Sequence, residues 1–169
     1  MKTLVLGVGN EIMGDDGIGL YVVEELKGTI EGVDWEVTSE SGLKLIDYLM
    51  DYDRVIIVDA IVSEEEVGKV SVFSLGDFCC LPSISNHSLD LISALRLVNR
   101  EIVNIPVEIF FIGICINTTG KVQSGLSKQM EDIFPEVVES VREKIEELIS
   151  EDNYFFKVVG GDIHGEAKA

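Results

Sequence analysis

Three stretches of the chain set side chains able to do chemistry beside glycines or apolar runs. The first is Gly7-Val8-Gly9-Asn10-Glu11-Ile12-Met13-Gly14-Asp15-Asp16-Gly17, where glycines flank two consecutive acids. Glycines allow a tight turn and close backbone approach, as a ligand site often needs. An acid here also has a plainer use, as a cap for the free N–H groups and positive dipole end of a following helix. A pair of acids between Gly14 and Gly17 is more than one cap requires. The second candidate is Asp59, directly after Val55-Ile56-Ile57-Val58. At the C-terminal end of a strand its carboxylate would face a ligand crevice, or it would start a turn by bonding the backbone that follows. The third is His87 in Ser85-Asn86-His87-Ser88, one of two histidines in the chain. Alone, a loop histidine needs no function. With Asp16 and Asp59 it makes a set of two carboxylates and one imidazole, suited to a borderline divalent metal with open coordination positions. A hard Mg²⁺ or Ca²⁺ site would more often be all oxygen. His164, in Gly161-Asp162-Ile163-His164-Gly165, reads as a tail residue and not a ligand.

The elements that must hold these residues follow from hydropathy. Thr3–Gly7, Arg54–Val58, Lys69–Leu75 and Val107–Gly113 are short and rich in β-branched residues, as strands are; Val33–Thr38 is a weaker fifth candidate. Helical spacing covers Gly17–Leu26 (Leu20, Val23 and Leu26), Leu43–Met50 (Leu43, Ile46, Leu49 and Met50) and Ser88–Val98 (Leu91, Leu95 and Val98). A last helix over Leu126–Ile149 sets Ile133, Val137, Val141, Ile145, Leu148 and Ile149 against an acidic face. Alternating strands and helices imply βαβ crossovers, which bury a mostly parallel sheet between two helical layers. Val55–Val58 is apolar at every position, as a central strand covered on both faces should be. Asp16, Asp59 and His87 all fall after strands or before helices, on the rim where such a sheet binds ligands.

Residues 1–153 therefore read as one α/β domain, and residues 154–169 as a loose tail. At 169 residues the chain suits one core, and its 46 % hydrophobic and 26 % charged residues are ordinary for a soluble protein. A formal net charge of −18 opposes nucleic-acid binding and favours a basic partner surface or a cation. No apolar run approaches the ~18 residues of a membrane span, and Met1–Gly7 reads as a buried strand, not a signal peptide. Cys79, Cys80 and Cys115 make an odd, low count, which fits free thiols in a reducing cytoplasm. No Ser–His–Asp or Cys–His arrangement is evident.

The run Leu4-Val5-Leu6-Gly7-Val8-Gly9-Asn10 with Gly14-Asp15-Asp16-Gly17-Ile18-Gly19 closely resembles the opening motif of the hydrogenase maturation proteases. Ile56-Ile57-Val58-Asp59-Ala60 resembles their second motif, and Ser85-Asn86-His87-Ser88-Leu89 their histidine motif at a fitting distance. These motifs span roughly the first two-thirds of the chain. The resemblance implies a three-layer α/β/α sandwich with a mostly parallel five-stranded sheet. It implies that Asp16, Asp59 and His87 form the catalytic, metal-contacting set, with Asp16 at a position where the family carries Asp or Glu. It also implies a protein substrate, the precursor of a nickel–iron hydrogenase large subunit. Nickel already placed in that precursor is detected, and a C-terminal extension is cut away. Nickel is thus expected to arrive with the substrate, and other divalent ions are expected to occupy the same ligands in vitro. A monomer or weak oligomer is expected. One departure stands out. Family members usually carry an acid and two glycines after the second strand, whereas this chain reads Ser39-Glu40-Ser41-Gly42. Glu40 would supply the acid by a one-residue shift.

Other functions use some of the same residues. Gly7-Val8-Gly9 after a first strand suggests a nucleotide-binding module, but Ile12 stands where the third glycine of that fingerprint belongs. Asp15 and Asp16 would also repel a pyrophosphate at the helix start. A non-cutting chaperone that checks nickel loading, or a different metal-dependent hydrolase on the same fold, would use the same acids and histidine.

Overall fold

The computed structural model describes residues 1–74, 77, 86–97, 104–106, 108–117 and 122–150, apart from the side chains of residues 86–89 and 96. Cys79, Cys80, His164 and the 154–169 tail lie outside the described residues. In chain order the elements are β1 (Thr3–Val8), α1 (Ile18–Leu26), β2 (Val33–Thr38), α2 (Lys44–Leu49), β3 (Arg54–Val62), β4 (Val70–Ser74), α3 (Asn86–Leu97), β5 (Glu108–Ile116) and α4 (Lys128–Ile149). A short 3-10 turn at Gly14–Gly17 leads into α1.

The strands form one five-stranded sheet in the order β2-β1-β3-β5-β4. Every pairing is parallel except β4 with β5. The exception has a simple cause. β3 and β4 are joined by Ser63–Lys69 alone, too short for the helical crossover that a parallel return requires. The chain therefore turns back antiparallel at the far edge, leaving the gap that β5 fills.

Side chains alternate across the sheet and sort the core into two faces. Val5, Ile56, Val58, Ala60, Ile112 and Ile114 pack with α1 and α4. Leu4, Leu6, Val8, Val55, Ile57, Ile109 and Phe111 pack with α2 and α3. Both faces are covered, which is why β1 and β3 are apolar at nearly every position. Each large aliphatic side chain fully buried here contributes about 1.5–3 kcal/mol by leaving water.

Two helices bury a different stripe from the one the spacing predicts. In α1 the buried face is Ile18, Val22, Val23 and Leu26, with Leu20 only half-buried. In α2 it is Leu45, Ile46 and Leu49, while Leu43 is 63 % exposed and Met50 lies at the surface. Leu43 precedes the helix and follows Gly42, whose φ of 63° turns the chain before the helical phase begins. α4 follows the predicted stripe and adds Met130 to it. Among the described residues, no helix is long and apolar enough to cross a membrane.

Candidate functional site

The chain leaves β1 for β2 on one side and later enters β3 on the other. Their C-terminal ends are thus a topological switch point, where open α/β sheets form their ligand crevice. The last β1–β3 pair is Gly7 with Val58. Asp59 is the next residue on β3, just past the reach of β1 at this crevice. The predicted strand stopped at Val58, but β3 continues to Val62, in register with β5 throughout. Asp59 is therefore a strand residue and not the start of a turn. Its partner on β5 is Gly113. A Cβ there would meet Ile61 and Phe73 at 3.0–3.1 Å, so these two side chains occupy the space that Gly113 leaves beside Asp59. Asp59 Oδ1 accepts the Ala60 amide at 2.8 Å, and the residue is only 3 % exposed.

Asp16 lies in the turn after β1. That turn packs against β3 and leads into α1. Asn10 opens it by accepting the Ile12 amide on its side-chain oxygen at 3.2 Å and the Met13 amide on its carbonyl at 3.0 Å. The Asn10 amide donates to the Asp16 carbonyl at 3.4 Å and closes the loop on itself. Gly9 is required for that closure, since a Cβ on it would stand 2.4 Å from the Asp16 carbonyl oxygen. Asp16 is 7 % exposed. Neither acid acts as the predicted cap: no side chain caps the 3-10 turn or α1.

Asp15 instead grips a distant helix. Its Oδ1 accepts the Ser127 amide and its Oδ2 accepts the Ser127 hydroxyl, both at 2.7 Å. Ser127 is the N-cap of α4, and its Oγ accepts the Met130 amide at 3.2 Å. The stretch before α4 also pairs with the turn. Gln123 donates its amide to Ile12 at 3.1 Å and accepts the Gly14 amide at 2.9 Å. Sequence reading missed this set of contacts. A serine just before an amphipathic helix marks the cap, but nothing local tells Asp15 to meet a residue so far along the chain.

His87 is the second residue of α3. α3 covers the sheet face that carries Val55 and Ile57, and strand alternation puts Asp59 on that face too. The His87 side chain lies outside the described residues. Among the described residues, no three His, Cys, Asp or Glu side chains cluster closely enough to hold a metal ion. The fold thus sets the turn that carries Asp16 against β3, the strand that carries Asp59, and starts the histidine-bearing helix on the face to which Asp59 belongs. Buried aspartates, one on the turn after β1 and one on β3, are of a type suited to gripping a cation, or to accepting a proton from a water molecule.

Glu40 lies at the surface, in the loop before α2. Its carboxylate pairs with Lys44 at 2.7 Å across the start of α2, and that carboxylate raises the Lys44 pKa above its ordinary value. At the C-terminal end of β5, burial pushes the Cys115 thiol up from its usual range, and the neighbouring Glu65 carboxylate adds to the effect.

The family model described as hydrogenase maturation protease matches residues 20–144, well over half of the chain. Asp59 and His87 fall inside the matched stretch and Asp16 just before it. Hydrogenase 2 maturation protease of Escherichia coli K12 is 29 % identical over 161 residues, covering 86 % of this chain and 96 % of its own. Among solved structures, the hydrogenase maturating endopeptidase HybD of E. coli superposes with a TM-score of 0.69 at 25 % identity, covering 88 % of this chain and 94 % of that one. The NiFe hydrogenase maturation protease HybD of Thermococcus kodakarensis gives 0.65 at 28 % identity, covering 86 % and 99 %.

Proposed function

The chain belongs to the hydrogenase maturation protease family, and we propose that it removes the C-terminal extension from the nickel-loaded large-subunit precursor of a nickel–iron hydrogenase. Family membership makes the protein a peptidase and sets aside the non-cutting chaperone and the nucleotide-binding module. The observation that carries the finer reading is the pair Asp16 and Asp59, both more than nine-tenths buried, at the switch point between β1 and β3.

In this reading nickel belongs to the substrate. Asp16, Asp59 and His87 are the residues that contact it, adding two oxygen donors and one nitrogen donor to those of the precursor. Such a mixed set suits a borderline divalent ion and leaves room for the ligands already present. Bound there, the ion supplies polarisation of the scissile carbonyl and a fixed reference point for the cut. The chain's own residues do the rest. The Asp16–Asp59 pair recognises the loaded precursor and takes the proton of the attacking water, a task worth about 10²–10⁴-fold in rate. The rim made by the turn after β1 and the loop before α2 receives the precursor's extended tail. That loop carries Ser39-Glu40-Ser41-Gly42 in place of the family's acid and two glycines, which fits a chain that reads its own tail sequence. The strongly acidic protein favours a basic surface on the precursor.

The test compares one large-subunit precursor before and after nickel loading. Cleavage of the loaded form alone, lost in Asp59→Asn while the variant melts like the wild type, supports this reading. Equal cleavage of the nickel-free form overturns the role of nickel, and full activity in Asp59→Asn removes that residue from the site.

A further inference from the structure

Asp15 and Asp16 are neighbours in sequence, yet they face different tasks. Asp16 is buried at the crevice, while the half-buried Asp15 spends both carboxylate oxygens on Ser127 at 2.7 Å. α4 does not need that grip to stay in place. It is 22 residues long, buries Met130, Val137, Val141, Ile145 and Leu148, and is already capped by the Ser127 hydroxyl. The turn gains far more. Its 3-10 segment is four residues long, and two backbone hydrogen bonds of Asp16, from its amide to Met13 and to its carbonyl from Asn10, are long at 3.4 Å. A carboxylate held at two points fixes its own backbone in direction as well as distance. The residue next to it is thereby fixed too.

We infer that Asp15 is a positioning residue for the cleavage reaction: by latching to Ser127 at the N-terminus of α4, it holds the turn that aims Asp16 into the crevice. The inference rests on the reading of Asp16 as part of the site. The latch also joins the rim to a rigid element. The stretch before α4 contacts the turn at Ile12 and Gly14 through Gln123 and at Asp15 through Ser127, so three positions of the turn are tied to the start of α4. An aspartate-to-asparagine change keeps the shape but removes the charge and replaces one acceptor by a donor, so the charge-assisted grip on the Ser127 amide and hydroxyl is reduced to neutral hydrogen bonding.

The test measures kcat and KM for cleavage of nickel-loaded precursor by the full chain, well below the melting temperature of each variant. Asp15→Asn is expected to lower kcat by about 10–100-fold with KM little changed, the signature of a misaimed reacting group. Ser127→Ala is expected to lower kcat in the same way. Ser127→Thr, which keeps the hydroxyl, is expected to restore it. An unchanged kcat in folded Asp15→Asn overturns the inference, whatever happens to the melting temperature or KM. So does a fall in Asp15→Asn that Ser127→Ala does not share. The parallel variant Asp16→Asn separates the two layers. If it cleaves normally, the site reading fails and the latch has nothing to aim; if it is dead while Asp15→Asn is normal, only the latch fails.

Discussion

A methyl group on Gly19 would stand 2.4 Å from the carbonyl oxygen of Val58. It would stand equally close to the carbonyl oxygen of Val8. The first turn of α1 thus rests directly on the ends of β1 and β3, one residue before Asp59. Both obstacles are backbone atoms of the central strands, which cannot rotate aside as a side chain could.

Gly19→Ala should therefore be costly although it adds one carbon. Overpacking against unyielding neighbours destabilises by about 1–3 kcal/mol, so the urea midpoint should fall by a matching amount with an unchanged slope. Cleavage should fall as well, because displacing α1 also displaces the turn that carries Asp16. A wild-type midpoint would mean that helix and strands separate more easily than the close approach implies.

Arg54 joins the two ends of the structure farthest from the crevice. Its Nε donates to Glu108 Oε2 at 2.6 Å, its Nη2 forms an ion pair with the same oxygen at 2.6 Å, and its Nη1 donates to the Leu148 carbonyl at 2.6 Å, in the last turn of α4. Arg54 is buried, while Glu108 keeps partial contact with water. Arg54→Met leaves a C-terminal carbonyl of α4 and a half-buried carboxylate without their donor. We expect a loss of about 2 kcal/mol, below the ~3–5 kcal/mol of a fully buried pair because water reaches Glu108. Chemical denaturation measures it. Cleavage per folded molecule should be unchanged, since the contact lies at the opposite end of the strands from Asp59.

Cys115 should be inert in the folded protein. It is fully buried on β5, and burial together with the Glu65 carboxylate holds its thiol protonated above the usual range. Wild type and Cys115→Ser should therefore show the same number of fast-reacting thiols at pH 8 and differ by one only after unfolding. The sign for stability follows. As pH rises from the ordinary thiol pKa towards the raised one, the unfolded chain releases this proton and the folded chain keeps it. This group's contribution is complete below that window and declines through it. Loss of one fast equivalent in native Cys115→Ser would contradict the buried, protonated thiol.

The framework was readable from local pattern because both faces of the sheet are covered. Val55–Val58 could be identified as a central strand from its unbroken apolar run, and Val33–Thr38 appeared where its weaker pattern suggested, as the edge strand β2. The continuation of β3 through Asp59 was not readable. An acid ends an apolar run in sequence, but here β5 still pairs alongside and Gly113 makes room. The phase of α2 was misjudged because Leu43 belongs to the turn at Gly42. Asp16 and Asp59 could be proposed from glycine flanks and a strand end, because general topology says where an open α/β sheet binds its ligand. The role of Asp15 could not, because its partner Ser127 is chosen by the packing of α4 beside the turn.

The central claim is tested most directly by the intact mass of a nickel-loaded hydrogenase large-subunit precursor before and after incubation with this protein. The expected result is loss of one defined C-terminal peptide, dependent on nickel and abolished by His87→Ala in a variant that still folds. An unchanged mass for every loaded precursor offered, with the protein folded throughout, would contradict it.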